Sequence, residues 1–109
     1  MATSYKVLGQ SNPSATTLTT LYTVPSATNA VVSSIIIANL DSAAATFRIA
    51  VRPAGASIAN SQYIAYNITV GASDSTVLTL GITMGATDVL SVYASTATVT
   101  FSAYGSEIA

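Results

Sequence analysis

Apolar and polar side chains alternate with a period of two along most of the chain, which is the period of a β-strand. The segment ATFRIAVR is the clearest case, with Phe47, Ile49 and Val51 on one predicted face. Arg48 and Arg52 would share the opposite face, about 13 Å apart at a rise of roughly 3.3 Å per residue. The alternation therefore predicts a strand whose inner face is apolar and whose outer face carries two well-separated arginines.

Seven further segments are predicted strands, four of them by the same alternation, and short stretches rich in Gly, Pro, Asp and Ser separate them. They are YKVLGQ, TLTTLYTV, AVVSSIIIANL, QYIAYNITV, STVLTLGI, DVLSVYA and ATVTFSAY. About eight short strands with turns between them are typical of an antiparallel β-sandwich, either Ig-like or a jelly-roll. We therefore predict an all-β fold in one domain, residues 1–109, with these two topologies left open.

Individual segments support more detailed predictions. In QYIAYNITV, the alternation places Ile64, Tyr66 and Ile68 on the inner face and Tyr63 on the outer face. The segment AVVSSIIIANL is apolar on both faces, which favours a central strand covered on two sides. The turn-rich residues 39–44 are predicted to connect the two strands of a hairpin.

Charged side chains are scarce: the 109 residues include three cationic and four anionic ones, a formal net charge of −1. Such a chain offers no basic surface that could neutralise a nucleic-acid backbone, so nucleic-acid binding is not expected. No apolar run is long enough to span a membrane. The N-terminal segment MATSYKVLGQ lacks the apolar stretch of a signal peptide. We therefore expect a soluble protein without a membrane partner.

The chain contains no His and no Cys, which excludes the usual imidazole-assisted nucleophiles and the usual zinc and copper sites. Asp74 and Asp88 precede predicted strands, in turns where Asp side chains commonly accept hydrogen bonds from backbone N–H groups. A paired-carboxylate glycosidase site is therefore disfavoured, and a Ser–Lys site would depend on Lys6 near the chain end. We expect a non-enzyme with no catalytic residue, cofactor or metal; a calcium site built from carbonyl oxygens and Asp41, Asp74 or Asp88 stays open.

Tyrosine and arginine are the side chains best suited to binding another protein, because both are enriched in interfaces. Tyr63 and Tyr104 fall on predicted outward faces. Together with Arg48 and Arg52 they are candidate interface residues. For the two arginines, the alternative is that they are solvated or weakly paired with acidic side chains of the turns.

The two terminal segments, MATSYK and AYGSEIA, contain the remaining candidate interface residues, Tyr5 and Glu107. Either segment could dock on a neighbouring subunit by adding a strand to an open sheet edge. The alternative is ordinary fraying, or an extra strand in the chain's own sheet.

Three longer segments of the sequence indicate a resemblance to a known family. They are TLYTVPSATNAVVSSIIIANLDSAAATFRIAVRPAG, LTLGITMGATDVLSVYAS and the ending VTFSAYGSEI. In these phrases the chain resembles a family of small virion structural proteins of tailed bacteriophages, of which phages of cyanobacteria carry many. The resemblance extends from Lys6 to Ile108, and its motifs, such as LYTVP, VRPAG and GSEI, are strand and turn phrases without a catalytic signature.

The resemblance implies a non-enzymatic component of the virion whose partners are other virion proteins. The favoured role is a capsid decoration or cement protein bound to the major capsid protein, and the alternative is a tail, collar or fibre component. Many copies binding through weak, repeated contacts would gain avidity. A homo-oligomer, with a trimer as the candidate state, would suit a symmetric particle.

A competing interpretation is a glycan-binding or receptor-binding module, for example at a fibre tip. Sugar sites usually combine an aromatic ring with neighbouring polar groups. Tyr63 with Asn60, Gln62 and Asn67 is the nearest such set in this sequence.

Overall fold

Strands make up most of the protein: the computed structural model, which describes residues 2–109, contains eight of them in two four-stranded sheets. Their bounds are β1 Thr3–Ser11, β2 Thr19–Thr23, β3 Asn29–Asn39, β4 Ala45–Arg52, β5 Tyr63–Val70, β6 Ser75–Met84, β7 Val89–Ala94 and β8 Val99–Ile108. Two single turns of 3-10 helix, Pro53–Gly55 and Asn60–Gln62, lie between β4 and β5. Among the described residues there is no helix with the length and apolarity needed to cross a membrane. All strand pairings are antiparallel, which confirms the predicted all-β sandwich.

The strand order is β1-β8-β3-β6 in the first sheet and β2-β7-β4-β5 in the second sheet. Each strand in the first half of the chain pairs with its counterpart in the second half: β1 with β8, β2 with β7, β3 with β6 and β4 with β5. This nested pairing describes one long antiparallel ribbon rolled into two sheets, which is the jelly-roll topology. The strand order thus decides between the two topologies that the sequence left open.

The connection after β3 crosses from the first sheet to the second, so the prediction of a hairpin at residues 39–44 is wrong. In a rolled ribbon, consecutive strands mostly lie in opposite sheets, and only β4 and β5 are both consecutive and paired among the described strands. Asn39, which is 3% exposed, holds the crossing in place. Its Nδ2 donates to the carbonyl oxygens of Ala43 at 2.8 Å and Gly71 at 3.2 Å, and its Oδ1 accepts from the backbone N–H of Asp41 at 3.1 Å.

The inner faces of the two sheets enclose an apolar core, in which Phe47 of β4 and Phe101 of β8 pack edge to face with ring centroids 6.1 Å apart. Phe47 and Ile49 are fully buried and Val51 is partly buried, which confirms the predicted inner face of β4. The other large, fully buried side chains come from both sheets: Val24, Val32, Ile35, Ile37, Val70, Met84, Leu90, Val92 and Val99.

The predicted inner face of β5 is wrong for most of the strand. Ile64, Tyr66 and Ile68 are 43–53% exposed, whereas Ala65 packs against the core. The ladder between β4 and β5 changes register twice, and Asn67 adopts a left-handed backbone conformation with φ 52°. Each irregularity inserts a residue and changes the face on which the following side chains lie, so simple alternation fails here.

β3 lies centrally in the first sheet, between β8 and β6, as the sequence predicts. Its inner side chains Ile35 and Ile37 are fully buried, but Val31 and Ile36 on its outer face stay partly exposed. Within residues 2–109 no second layer covers this side of the sheet. The predicted cover on both faces is therefore wrong for the described chain.

Gly105 lies where the β3–β8 ladder changes register, and its missing side chain is a packing requirement. A Cβ at this position would be driven against the backbone carbonyl of Val31 on the neighbouring strand. We expect Gly105→Ala to lower the free energy of unfolding, measured in urea, by about 2 kcal/mol or more, because two hydrogen-bonded strands would have to separate.

Gly81→Ala on β6 is the matched control for this prediction. A Cβ at Gly81 meets nothing within 4 Å, so the control variant should be neutral or slightly more stable, because Gly weakens a strand interior by about 0.5–1 kcal/mol relative to Ala. Equal stability of the Gly105→Ala variant and the wild-type protein would contradict the close approach of the two strands.

Candidate functional site

Side chains of three neighbouring strands meet on the outer face of the second sheet. We call them the arginine–tyrosine cluster: Arg48, Tyr63, Tyr66, Asn67 and Tyr93. β4 supplies Arg48, whose partner across the β4–β7 ladder is Tyr93. β5 supplies the other three, and its irregular register brings Tyr66 beside Arg48.

The guanidinium of Arg48 packs against two aromatic rings. Its Cζ lies 4.2 Å from the ring centroid of Tyr66 and 4.2 Å from that of Tyr93. Its Nε donates a hydrogen bond of 2.7 Å to Oδ1 of Asn67. Arg48 therefore contacts two aromatic rings and one side-chain amide, so the surrounding structure restricts its orientation.

A cavity of about 470 Å³ opens at this cluster and is lined by Asn60, Tyr63 and Tyr66. The rings of Tyr63 and Tyr66 stand at 82° to each other with their centroids 4.9 Å apart, so they form an aromatic corner. Asn60 adds an amide from the 3-10 turn that precedes β5. The volume lies within the roughly 300–1,000 Å³ range of small-ligand sites, and the lining combines flat apolar surfaces with hydrogen-bonding groups.

Arg52 lies on the same outer face but outside the cluster. Its Nε donates to Oγ of Ser91 at 3.1 Å, and its Nη1 donates to the carbonyl oxygen of Ala56 at 3.2 Å. Within residues 2–109 the sole ion pair joins Lys6 and Glu107, so neither arginine is paired with an acidic side chain of the turns. The two arginines occupy separate places on one face, as the alternation predicts, and each is held by neutral partners.

Among residues 2–109, the outward-facing positions of β1, β8, β3 and β6 include no Asp, Glu, Lys or Arg, and we call this outer face of the first sheet the uncharged face. Lys6 of the edge strand β1 lies at its rim, where it lines a shallow depression with Tyr5 and Tyr104. The described side chains of the uncharged face are Thr3, Tyr5, Val7 and Gln10 of β1, Thr100, Ser102, Tyr104, Ser106 and Ile108 of β8, Asn29, Val31, Ser34, Ile36 and Ala38 of β3, and Ser75, Val77, Thr79 and Thr83 of β6. Tyr5 is 85% and Val77 is 59% exposed, and Tyr104 lies partly buried on the strand between β1 and β3. The structure thus brings two of the predicted interface tyrosines, Tyr5 and Tyr104, onto one face.

Glu107 links the two sheets instead of projecting into solvent. Lys6 Nζ of β1 lies 2.7 Å from its Oε1, and the hydroxyl of Tyr22 on β2 donates to its Oε2. These hydrogen bonds, that of Lys6 first, hold the pKa of Glu107 below its ordinary value of 4.5. Burial, together with the bond to Glu107, raises the pKa of the Tyr22 hydroxyl. The Glu107 side chain is 13% exposed, so little of this candidate interface residue is left for a partner to contact.

The terminal segments lie in the chain's own first sheet. β1 pairs with β8 from Thr3 and Ile108 onward. Beyond these residues, the backbone N–H of Ala2 donates to Ala109 O at 3.1 Å, and that of Ala109 donates to Ala2 O at 2.9 Å. The sequence left open a docking arm, frayed ends or an extra strand in the chain's own sheet. In the structure, both terminal segments belong to strands of the first sheet.

The acidic side chains of two turns accept hydrogen bonds from backbone N–H groups. Asp88 Oδ1 accepts from Ala54 at 2.8 Å and its Oδ2 from Gly85 at 2.9 Å, while Asp74 Oδ1 accepts from Ser75 at 2.8 Å. These bonds confirm the structural interpretation of Asp74 and Asp88. In the described part of the chain, no three His, Cys, Asp or Glu side chains are grouped to hold a metal ion.

Sequence alternation did not identify Tyr66 and Tyr93 as members of the cluster. The β7 segment DVLSVYA contains apolar residues in both registers, so its outer face could not be chosen. For Tyr66, the sequence feature that could have indicated an outward position is the Asn that follows it. Asn tolerates the left-handed conformation of a bulge, and a bulge changes the face on which neighbouring side chains lie. Comparison with known proteins adds no further guide: no protein-family model matches the chain, and no curated protein matches it.

A double-mutant cycle tests whether the stacking of Arg48 stabilises the fold. For Arg48→Met combined with Tyr93→Leu, we expect a coupling of about 0.5–1 kcal/mol in the free energy of unfolding, the usual contribution of one exposed cation–π contact. The same cycle with Arg52→Met is the control, because Arg52 is bonded to Ser91 and Ala56 instead. Equal coupling in the two cycles would show that the ring does not stabilise Arg48.

The link through Glu107 makes an acid-dependent contribution to stability. Because its pKa is lower in the folded protein, the contribution is present above the ordinary value of 4.5 and is lost as the pH falls through the folded-state value. We expect Glu107→Gln to reduce the loss of unfolding free energy between pH 6 and pH 3, measured by urea unfolding.

At alkaline pH the stability contribution changes in the opposite direction, because it decreases as the pH rises. The pKa of Tyr22 is raised in the folded protein, so its contribution is present below the ordinary value of 10.0 and is lost as the pH rises beyond it. Tyr22→Phe should therefore flatten the alkaline limb of the same stability profile. Acid and alkaline limbs that neither substitution changes would contradict the Lys6–Glu107–Tyr22 link.

Proposed function

We propose that the protein is a non-enzymatic structural component of a tailed-bacteriophage virion and that it decorates the capsid by binding the major capsid protein. The resemblance of residues 6–108 to small virion proteins supports the proposal that the protein is a virion component. The observation in the structure that carries the proposal is the uncharged face, on which the described residues of four strands place no charged side chain at an outward-facing position.

Burying a face of this composition is physically favourable. No ion has to be stripped of water, and desolvation of charges is the term that most often offsets the gain from burying a surface. Tyr5, Val7 and Val77 supply exposed apolar area, and the Ser and Thr hydroxyls between them can donate or accept hydrogen bonds. Charged residues are likewise depleted at the centres of protein interfaces.

The fold is compatible with this role but does not select it. Jelly-rolls occur in viral capsid proteins and also in lectins, and a fold by itself does not define a function. The proposal therefore depends on the sequence resemblance and on the chemistry of the uncharged face. Many copies on a symmetric shell would let weak single contacts add up to stable attachment.

A second candidate function is receptor or glycan binding as part of a tail, collar or fibre. The observation that favours it is the cavity lined by Asn60, Tyr63 and Tyr66. This site lies on the second sheet, whereas the uncharged face lies on the first sheet, so the two functions can be tested separately.

Co-sedimentation with separated phage particles tests the capsid proposal. Purified protein should bind heads that lack it and should not bind isolated tails. Val77→Asp places a charge on the uncharged face and should weaken head binding at least tenfold. Ile64→Asp is the matched control, because Ile64 is also an exposed aliphatic residue, 49% against 59%, on an edge strand of the other sheet.

Two outcomes would contradict the capsid proposal. Binding to tails alone would assign the protein to the tail, and equal loss of binding in both variants would remove the uncharged face from the interface. Urea unfolding of both variants excludes a folding defect, since exposed substitutions usually change stability by less than about 0.5 kcal/mol.

A further inference from the structure

We propose that the cavity at Asn60, Tyr63 and Tyr66 binds a short saccharide that carries a carboxylate group, and that Arg48 binds this carboxylate. The inference rests on the second candidate function, glycan binding, and names the class of sugar. It does not depend on where in a particle the protein is found.

The shape and chemistry of the cavity suit a sugar ring. Tyr63 and Tyr66 form a corner at 82°, so one ring can lie against the flat C–H face of a pyranose while the other contacts its edge. The Asn60 amide and the tyrosine hydroxyls can hydrogen-bond to the polar rim of the same ring. An aromatic surface with a few polar groups is the usual composition of a small-ligand site.

Arg48 is prepared to bind an anion. It packs against the rings of Tyr66 and Tyr93, and its Nε donates a hydrogen bond to Asn67. The N–H groups of both Nη atoms have no hydrogen-bond acceptor among residues 2–109. Paired guanidinium N–H groups match the two oxygens of a carboxylate, and a side chain that is already fixed loses little conformational entropy on binding.

Tyr66 connects the two parts of the site, because its ring lines the cavity and also stacks on Arg48. Arg48 does not itself line the cavity, so the proposal requires a substituent on the edge of the bound sugar ring to extend past Tyr66 to the guanidinium. This arrangement favours a uronic acid, whose carboxylate is attached directly to the pyranose ring.

The charge of the site favours a carboxylate over a phosphate. Arg48 is the single cationic member of the cluster, and Arg52 is bonded to Ser91 and Ala56 outside it. One guanidinium balances one carboxylate, whereas a phosphate monoester carries about −1.5 to −2 at neutral pH. A nucleotide would leave part of its charge unpaired at this site.

The test compares two sugars that differ in one group. Cellobiouronic acid and cellobiose are titrated into the wild-type protein, and binding is followed by isothermal titration calorimetry and by NMR shifts of the tyrosine ring protons. We expect the uronic acid to bind at least tenfold more tightly than the neutral sugar, with saturable shifts at Tyr63 and Tyr66.

Three variants assign the effect to residues. Tyr63→Ala should abolish binding of both sugars because it removes one side of the aromatic corner. Arg48→Lys keeps the positive charge but removes the planar pair of donors, so it should bring the affinity for the uronic acid down to that for cellobiose. Arg52→Lys is the matched control and should leave both affinities unchanged.

The outcomes separate this inference from the other proposals. Equal affinity for the two sugars, unaffected by Arg48→Lys, would overturn the carboxylate assignment and leave glycan binding standing. If neither sugar binds saturably, the saccharide site itself is overturned. Tighter binding of uridine monophosphate than of the uronic acid would also overturn it. None of these results bears on head binding by the uncharged face, which the co-sedimentation experiment measures.

Discussion

Packing of the two inner faces against each other, centred on the contact between Phe47 and Phe101, is the interaction on which the rest of the structure depends. The chain has no Cys, so no disulfide can join the sheets, and burial of apolar side chains has to hold them together. A fully buried Val, Leu, Ile, Phe or Met contributes about 1.5–3 kcal/mol. Because side chains alternate along a strand, using one side of each strand for this core leaves the other side for recognition.

The few charges are distributed so that the two outer faces differ in chemistry. Lys6 and Glu107 bind each other at the edge of the core, and Asp74 and Asp88 bind backbone N–H groups in turns. The first sheet is left with a broad neutral face, while the second sheet presents Arg48 among tyrosines. A protein attached through its first sheet would keep the cavity on its second sheet accessible, so the two proposed functions are physically compatible.

Irregularities in strand register create the candidate ligand site. Without the inserted residues in β5, Tyr66 would face the core as strict alternation predicts, and Arg48 would have one aromatic neighbour fewer. The left-handed conformation of Asn67, φ 52°, also places its side-chain oxygen at Arg48 Nε. An unusual backbone conformation beside a cavity is a reason to examine that cavity for function.

The sequence by itself determined the all-β class, the number of strands and the inner face of β4, because burial of one side of a strand leaves a period of two in the residues. Only the tertiary structure decided the rolled pairing of distant strands, the crossing after Asn39 and the outward position of Tyr66. Pairing and register depend on contacts between strands that lie far apart in the chain, and alternation within one segment contains no information about its partner. The same reason explains the site: Arg48 was visible as an outward side chain, but the rings that it packs against come from β5 and β7.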